Sequence, residues 1–431
     1  MRALLVCSEF PPGPGGIGTH AFELSRGLAR LGWQVRVHAP QDYADEEEIA
    51  AFARNQLALE QPRLELDRAP RQNGAWRKLT NPAVRALSLR RSLAQARPDV
   101  VIASGRSAVW LCASMRFSTT EQPRGRRRVP WVALGHGSEF GNPDKQNSLR
   151  ARITRYAYSQ ADSVICVSEF TRTRMHAAGI RPRAESVIPN GADPTQFPLW
   201  PPERIAAWRA GHGLAGKRVL LTLGHVSERK GQDLVVRALP RILERVPSAV
   251  YVAVGLPTRV PHLQALAREL GVADAVRFPG RAANEERLAW LHAADVFVLT
   301  SRSTTDGDCE GYGIAAVEAA FCNVPAVVAA GSGLAEAVVH QATGFVVPPE
   351  SPAAIADAVR ALCTEEDKRR RMGEVARARA LNEQTWEQRV QAYDAWLRAR
   401  VQLARGETVR GERAQTPTAA KVEPVQEQTL R

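Results

Sequence analysis

The chain has few cysteines and no long apolar run. These two features argue against a disulfide-rich or zinc-binding protein and against a membrane-spanning one. Its 431 residues include six cysteines, which are scattered and form no CxxC pair. This distribution predicts neither a disulfide framework nor a zinc site. The longest apolar stretches, 248–256 and 294–300, are much shorter than the ~20 residues that a membrane-spanning helix needs. We therefore expect a protein of the reducing cytoplasm without a membrane-spanning segment.

The N-terminus lacks the apolar core and the cleavage site of a secretory signal peptide. Residues 1–7 pass from a single arginine directly into a strand-like run, so we expect no export. The composition, 44% hydrophobic and 24% charged, is typical of folded soluble domains. A chain of this length suits two domains of roughly 150–200 residues each.

Acidic residues are fewer than basic ones: the chain has 45 aspartates and glutamates but 58 lysines and arginines, which gives a net charge of +13. The arginine excess lies in the first half, with clusters at 124–128 and 150–183. No helix-turn-helix, zinc-finger or aromatic RNA-binding motif accompanies it, so we expect no nucleic-acid partner. Two interpretations remain open: a solvated arginine-rich surface, or a surface attracted to anionic lipids on the inner face of the membrane.

Short apolar runs alternate with helical patterns along most of the chain. The strand candidates of the first half are residues 2–7, 35–38, 100–104, 131–134, 163–167 and 186–188. Beyond a stretch with proline and tryptophan at 193–202, further candidates follow at 218–223, 249–254, 276–278, 296–300 and 326–329. Buried strands that alternate with helices predict α/β domains with parallel sheets. We predict two facing Rossmann-like domains with a cleft between them, over residues 1–190 and 195–382.

The C-terminal part has a different character. Residues 383–405 form an amphipathic helical pattern with Trp386, Val390, Tyr393 and Trp396 on one side. We expect this helix to cross back and pack on the first domain. Residues 406–431 are polar and contain no aromatic residue, which predicts a disordered tail.

The first candidate site is a glycine-rich loop after the first predicted strand, with a GxGxxG pattern at Gly13, Gly15 and Gly18. A dinucleotide site would place its first glycine directly after the strand and an acid about 20 residues further on. Here residues 9–12 intervene, and the second strand ends at 37–40 without an acid. The loop is therefore either an anion-binding loop with free amides at a helix N-terminus, or a plain tight turn.

The strongest motif is CEGYGIAAVEA at 309–319, which carries two carboxylates, Glu310 and Glu318, separated by seven residues. Glycines beside Glu310 leave backbone amides open to phosphate or sugar oxygens, and carboxylates accept hydrogen bonds from the paired hydroxyls of a sugar. Two glutamates alone are more often solvated on a helix face. The glycines and the flanking strand-like runs favour recognition of a polyol and a phosphate.

This motif resembles the paired-glutamate (EX7E) motif of the retaining glycosyltransferases of family 4, which have the GT-B fold and include many bacterial mannosyl- and glucosyltransferases. Other segments resemble further motifs of the family in the same order, from about residue 5 to residue 350. They are the glycine loop (15–18), a histidine segment (135–139), a serine turn (167–170), the domain junction (187–193), a donor-phosphate loop (224–231), and the segments 331–336 and 343–349.

The resemblance implies a donor site in the second domain and an acceptor site in the first. Glu310 would lie near the donor sugar, Glu318 would bind the ribose and Lys230 would hold the diphosphate. His136 would reach the transferred sugar from the opposite domain, unless it only closes a turn. The implied catalytic residues are Glu310, His136, Lys230 and Arg229. The other implied donor contacts are Gly16, Gly224, His225, Arg281, Gly311, Tyr312, Gly313 and Ile314. The implied acceptor contacts are Gly15, Gly16, His136 and Ser168.

The implied reaction moves a hexose, with retention, from a UDP- or GDP-linked sugar to a glycan or lipid-linked acceptor. It uses no protein nucleophile, cofactor or metal, because positive charge and backbone amides stabilise the leaving phosphate. The chain departs from the family at His225, where an arginine is usual and where a mostly neutral imidazole cannot replace it. Arg229 either supplies the missing charge or faces solvent. Asn323 and Ser332 stand at customary glycine positions.

Two other functions remain open at this point. A nucleotide-sugar epimerase of the same architecture would need no acceptor. A noncatalytic protein that binds anions or a membrane surface would not depend on the two glutamates.

Overall fold

The computed structural model describes residues 1–13, 15–40, 45–60, 62–69, 77–115, 128–141 and 147–407. Two sequence predictions lie outside these ranges: most of the first arginine cluster (Arg124, Arg126 and Arg127) and the tail from residue 408 onward. Every helix in the described ranges is too short or too polar to span a bilayer.

Seven parallel strands form the first sheet, in the order β3-β2-β1-β4-β5-β6-β7. All residues of three interior strands, β4, β5 and β6, are buried, so these strands are continuous apolar runs without alternation. The strands are β1 (Arg2–Cys7), β2 (Gln34–Ala39), β3 (Leu64–Arg68), β4 (Val100–Ser104), β5 (Trp131–Gly135), β6 (Ser163–Cys166) and β7 (Glu185–Val187). The helices between them are α1 (Gly16–Arg30), α2 (Glu46–Phe52), α3 (Arg77–Ala96), α4 (Arg106–Ser114), α5 (Leu149–Ser159) and α6 (Glu169–Ala177).

Six parallel strands form the second sheet, in the order β10-β9-β8-β11-β12-β13. The strands are β8 (Arg218–Leu223), β9 (Ala249–Val254), β10 (Val276–Gly280), β11 (Val296–Leu299), β12 (Ala326–Ala329) and β13 (Gly344–Val347). The accompanying helices are α7 (Pro202–Gly211), α8 (Gln232–Leu243), α9 (Val260–Glu269), α10 (Asn284–Ala293), α11 (Ile314–Phe321), α12 (Pro352–Thr364) and α13 (Glu366–Glu383). The predicted α/β class with two successive parallel sheets is confirmed.

The strand orders determine where a ligand site can form. In the first sheet the order reverses between β1 and β4, and in the second between β8 and β11. At such a reversal the loops that leave the carboxyl ends of the two strands diverge and open a crevice. The glycine loop follows β1, the predicted phosphate loop follows β8, and the paired-glutamate loop follows β11. Three of the sequence motifs therefore lie at the two places that the topology opens.

The C-terminal amphipathic helix is separate from the helix that precedes it. The helix α14 runs over Trp386–Ala404, and α13 ends just before it at Glu383. The two helices are separate because Thr385 caps α14, with reciprocal hydrogen bonds between Thr385 and Gln388 that satisfy free amides at the new N-terminus. Trp386, Val390 and Tyr393 are buried in the core of the first sheet.

Two strands were also missed, β3 and β13, and both lie at a sheet edge. An edge strand has one neighbour and keeps much of its surface in solvent, so its apolar pattern is weak. β3 has the sequence LELDR, in which only Leu64 is buried, and the middle residues of β13 are only partly buried.

Candidate active site

The loop after β8 packs directly on the end of β11. It closes with a short turn at Glu228–Lys230 and with Gly231 in the left-handed region at φ 67°. A Cβ atom on Gly231 would collide with the backbone carbonyl of Thr300, the residue after β11. Glycine is therefore required here both for its dihedral angles and for the close approach. This packing carries Lys230 to the loop that contains the first glutamate.

Glu310 is held by two cations. The same carboxylate oxygen, Oε2, lies 2.6 Å from Nζ of Lys230 and 2.5 Å from Nη1 of Arg229. Nε of Arg229 also lies 3.1 Å from the carboxylate of Asp308. Burial by itself would raise the pKa of Glu310, but the charges of Lys230 and Arg229 outweigh it and lower the pKa to about 2. Glu310 is therefore fully ionised at neutral pH.

The structure separates the two interpretations of Arg229. His225 is exposed, and its Nε2 lies 2.5 Å from Oγ1 of Thr258. Partial burial and the neighbouring cations lower the pKa of His225, so it stays neutral at pH 7. The side chain of Arg229 is only 23% exposed and points at Glu310. Of these two residues, Arg229 carries the positive charge that joins Lys230.

The second glutamate has a partner that no motif signalled. Glu318 is buried on α11 and accepts a hydrogen bond from Nη2 of Arg287, on α10, at 2.5 Å. Arg287 is one of several charged residues in a helix without a recognisable pattern, so sequence reasoning could not single it out. Arg281 follows β10, is exposed, and takes no part in this hydrogen-bonded cluster.

The residues between the two glutamates form the start of α11. Gly313 caps the helix in the left-handed region at φ 85°, and Ile314 is the first helical residue. Tyr312 is buried, and its hydroxyl accepts a hydrogen bond from Nε2 of Gln384 at 3.2 Å. Gly224, at φ 135°, lies against the aliphatic part of Lys230. These four residues shape the site rather than supplying charge to it.

His136 follows β5 and is buried at the opposite side of the crevice. Its Nε2 lies 3.0 Å from Oγ of Ser104, at the end of β4, and its backbone N–H donates to Oε1 of Glu139 at 2.6 Å. Burial lowers the pKa of His136, although the charge of Glu139 opposes this. The imidazole is therefore neutral at pH 7 and can offer a hydrogen bond but no full charge.

Behind His136 lies a buried contact with the C-terminal helix. The ring of His20, on α1, packs edge to face against His136 with centroids 5.1 Å apart. Nε2 of His20 lies 3.0 Å from the hydroxyl of Tyr393, on α14. Neither His20 nor its link to Tyr393 was predicted, because 373 residues separate the two in sequence.

The two domains meet at three glycines. A Cβ atom on Gly311 would collide with the carbonyl oxygen of His136, and one on Gly333 would collide with the hydroxyl of Ser168 in the first domain. Gly137 lies close to Gly311 as well. The backbone of the paired-glutamate loop thus lies directly against the histidine segment. The structure brings together Glu310 and its two cations with the His136 segment across the crevice.

The predicted acceptor residues differ in their surroundings. Gly15 and Gly16 are exposed at the start of α1, and nothing lies within 4 Å of the Cβ position of Gly16. The carboxylate of Glu9 occupies the Cβ position of Gly15. Ser168 is fully buried and caps α6 by accepting a hydrogen bond from the amide of Thr171 at 3.0 Å. Its hydroxyl therefore serves as the N-cap of α6.

The two customary glycine positions of the family are filled in different ways. Asn323 adopts the left-handed region at φ 60°, and Ser332 caps a short turn through the amide of Leu334. Within the described ranges, no group of three or more histidine, cysteine or acidic side chains is placed to hold a metal ion.

Comparisons with known proteins agree with this architecture. Two family models match: "Glycosyltransferase Family 4" over residues 14–196, and "Glycosyl transferases group 1" over residues 205–379. The GDP-mannose-dependent alpha-(1-6)-phosphatidylinositol monomannoside mannosyltransferase of Mycobacterium tuberculosis is 32% identical over 393 residues, which cover 90% of this chain and 95% of that protein. The glycogen synthase of the same organism is 30% identical over 446 residues, covering 98% of this chain and 99% of that protein.

Among solved structures, Anabaena HepE in complex with UDP and glucose has a TM-score of 0.75 at 21% identity, covering 93% of this chain and all of that one. Together these matches confirm the resemblance drawn from the motifs. The chain belongs to glycosyltransferase family 4 and has the GT-B fold.

Proposed function

We propose that this family 4 glycosyltransferase transfers a hexose, with retention of configuration, from a UDP- or GDP-linked donor to a glycan or lipid-linked acceptor. The observation that carries the proposal is the convergence of Lys230 and Arg229 on Glu310, across the crevice from His136. A relative that matches 90% of the chain is named for its GDP-mannose dependence, which makes GDP-mannose the first donor to test.

In this proposal the donor diphosphate takes the place of Glu310 as the partner of the two cations. Arg229 and Lys230 then neutralise the charge that builds up on the leaving phosphate, without a divalent metal. Glu310, released from the ion pairs, accepts hydrogen bonds from hydroxyls of the donor sugar. Glu318, already buried and held by Arg287, receives the ribose hydroxyls.

The transfer step needs only the two substrates in the correct orientation. The acceptor hydroxyl oxygen bonds to the anomeric carbon on the face from which the diphosphate leaves, and the bond between that carbon and the phosphate oxygen breaks. The acceptor proton passes to the leaving phosphate oxygen. His136, neutral and held by Ser104, donates or accepts one hydrogen bond at the sugar, and orientation in the closed crevice supplies much of the rate gain.

The assay is release of nucleoside diphosphate from a panel of nucleotide sugars, with and without acceptors and with EDTA in a parallel set. Lys230→Ala should lower acceptor-dependent release by at least roughly a hundredfold, the scale seen when a charge-stabilising group is removed. Lys217→Ala is the matched control, because Lys217 is exposed before the amino end of β8, whereas Lys230 follows its carboxyl end. Undiminished transfer by Lys230→Ala would contradict the proposal.

Three further outcomes test its finer parts. NMR of the product should show the anomeric configuration of the donor sugar, and inversion would overturn the assignment of retention. Interconversion of the donor sugar without any acceptor would instead identify an epimerase. Loss of activity in EDTA, restored by a divalent ion, would refute metal-independent transfer.

We also propose that the protein associates with anionic membrane surfaces, because its net charge is +13 and residues 1–190 carry 28 lysines and arginines against 17 acidic residues. Vesicles that contain phosphatidylglycerol should bind the protein more strongly than neutral vesicles. Neutralising the four arginines at 124–128 should reduce that binding. The matched control neutralises four exposed arginines of the second domain, and equal losses in both variants would contradict a specific basic surface. The control residues are Arg237, Arg268, Arg370 and Arg371.

A further inference from the structure

A carboxylate of the second domain caps a helix of the first. Glu336 lies in the short turn Gly333–Ala337, after β12. Its two oxygens accept hydrogen bonds from the backbone amides of Glu169 at 2.9 Å and Phe170 at 2.8 Å, the first two residues of α6. These amides belong to the orphan donors that every helix N-terminus leaves without an intrahelical partner.

The contact adds to a cap that α6 already has. Ser168, within the first domain, accepts a hydrogen bond from the amide of Thr171, so the helix has an ordinary N-cap without any help from the second domain. Glu336 binds the two amides that this cap leaves free. A carboxylate in this position interacts favourably with the helix dipole, and its hydrogen bonds are charge-assisted.

Other contacts show that α6 fits the second domain closely. Gly333, at the start of the turn with Glu336, leaves no room for a Cβ atom against Gly311 and the hydroxyl of Ser168. Further along α6, Arg174 donates to the carbonyl oxygen of Gly307 in the second domain at 3.2 Å. The helix is therefore held at two points by the loops on either side of the paired-glutamate segment. All of these contacts need the crevice to be closed.

We propose that Glu336 is the clasp that keeps the crevice closed, a positioning residue that docks on the N-terminus of α6 and thereby holds Gly311 against His136. The importance of the clasp for catalysis rests on the proposed function. The clasp itself is a conformational property that can be measured without any substrate.

The direct test is hydrogen–deuterium exchange at the N-terminus of α6, followed by mass spectrometry. The amides of Glu169 and Phe170 should exchange at least tenfold faster in Glu336→Ala than in the wild type, with Glu336→Gln in between because its amide oxygen can still accept a hydrogen bond. Glu374→Gln is the matched control, since Glu374 is exposed on α13. Unchanged exchange in both Glu336 variants overturns the proposal.

A second measurement separates positioning from a merely structural role. The donor site lies in the second domain, so Glu336→Ala should bind GDP or UDP within about twofold of the wild type, while kcat/KM for transfer falls about tenfold. A lower melting temperature together with lost diphosphate binding would show that Glu336 only supports the fold of its own domain, and would overturn the clasp.

The clasp and the proposed function would be refuted by different results. If the wild type transfers no sugar but exchange at α6 still depends on Glu336, the proposed function fails and the clasp stands. If transfer is normal in Glu336→Ala and exchange at α6 is unchanged, the clasp fails and the proposed function stands.

Discussion

Replacing Glu310 by glutamine should make the unliganded protein less stable and its diphosphate binding tighter. The glutamine has nearly the same shape but leaves Lys230 and Arg229 without the carboxylate that both of them contact. The fall in the pKa of Glu310 from 4.5 to about 2 favours the ionised form by about 3 kcal/mol, since a tenfold change in proton affinity is worth about 1.4 kcal/mol. Glu310→Gln should therefore lower the free energy of unfolding by about 3 kcal/mol at pH 7.

Removing the carboxylate of Glu310 should also make a nucleoside diphosphate bind more tightly. In the wild type the ligand must displace Glu310 from the two cations and then tolerate a neighbouring negative charge. In the variant neither cost remains, so GDP or UDP should bind at least roughly tenfold more tightly, a gain of about 1.4 kcal/mol. Sugar transfer should nevertheless fall, because glutamine is a weaker acceptor for the sugar hydroxyls than a carboxylate.

Urea unfolding followed by tryptophan fluorescence measures the first effect, and isothermal titration with GDP and UDP measures the second. Glu374→Gln serves as the control, because it makes the same chemical change at an exposed position. A stability loss below about 1 kcal/mol would show that the ion pairs are not coupled as the distances indicate. Weaker diphosphate binding in Glu310→Gln would refute the idea that Glu310 and the diphosphate compete for the same cations.

Four further outcomes follow from the same geometry. Lys230→Ala should weaken GDP or UDP binding at least roughly tenfold by calorimetry, because it removes a cation rather than its competitor; unchanged affinity would exclude Lys230 from the diphosphate site. Because the folded-state pKa of Glu310 is lowered, its stabilisation is complete above pH 4.5 and is lost as the pH falls towards about 2, so the wild type and Glu310→Gln should converge in stability over that window and differ by a constant amount above it. Tyr393→Phe removes the hydrogen bond to His20 and should lower the free energy of unfolding by about 1 kcal/mol in denaturant titrations; an unaltered value would mean that the buried contact contributes nothing. Gly333→Ala places a methyl group against the carbonyl of Gly311 and against the hydroxyl of Ser168 in the first domain, so it should reduce transfer with little change in diphosphate affinity, whereas equal losses of both would point to damage within the second domain.

Some features of the site could be predicted because they are local in sequence. The strands β4, β5 and β11 are completely buried and therefore consist of continuous apolar runs. Buried parallel strands have no solvent-exposed face, so their sequences are apolar throughout whichever residues pack against them. The spacing of Glu310 and Glu318 and the glycines between them also lie within one short segment, which made the motif recognisable without a fold.

Other features depend on pairs of residues that no pattern connects. Lys230 and Glu310 are 80 positions apart, and the contact of Glu336 with the amides of α6 spans 166 and 167 positions. Arg287 could be identified as the partner of Glu318 only once α10 and α11 were packed together. A salt bridge or a cap needs atoms within about 3 Å, and sequence spacing gives no such distance across a domain boundary.

The amino-acid order alone therefore decides that this chain forms two parallel α/β sheets and carries a paired-glutamate loop, since burial and backbone preference act over a few neighbouring residues. Only the folded arrangement decides that Arg229, and not His225, joins Lys230 on Glu310, and that a carboxylate from one domain caps a helix of the other. These contacts depend on which loops lie together at the reversals of strand order. The loops come together only after both sheets have assembled.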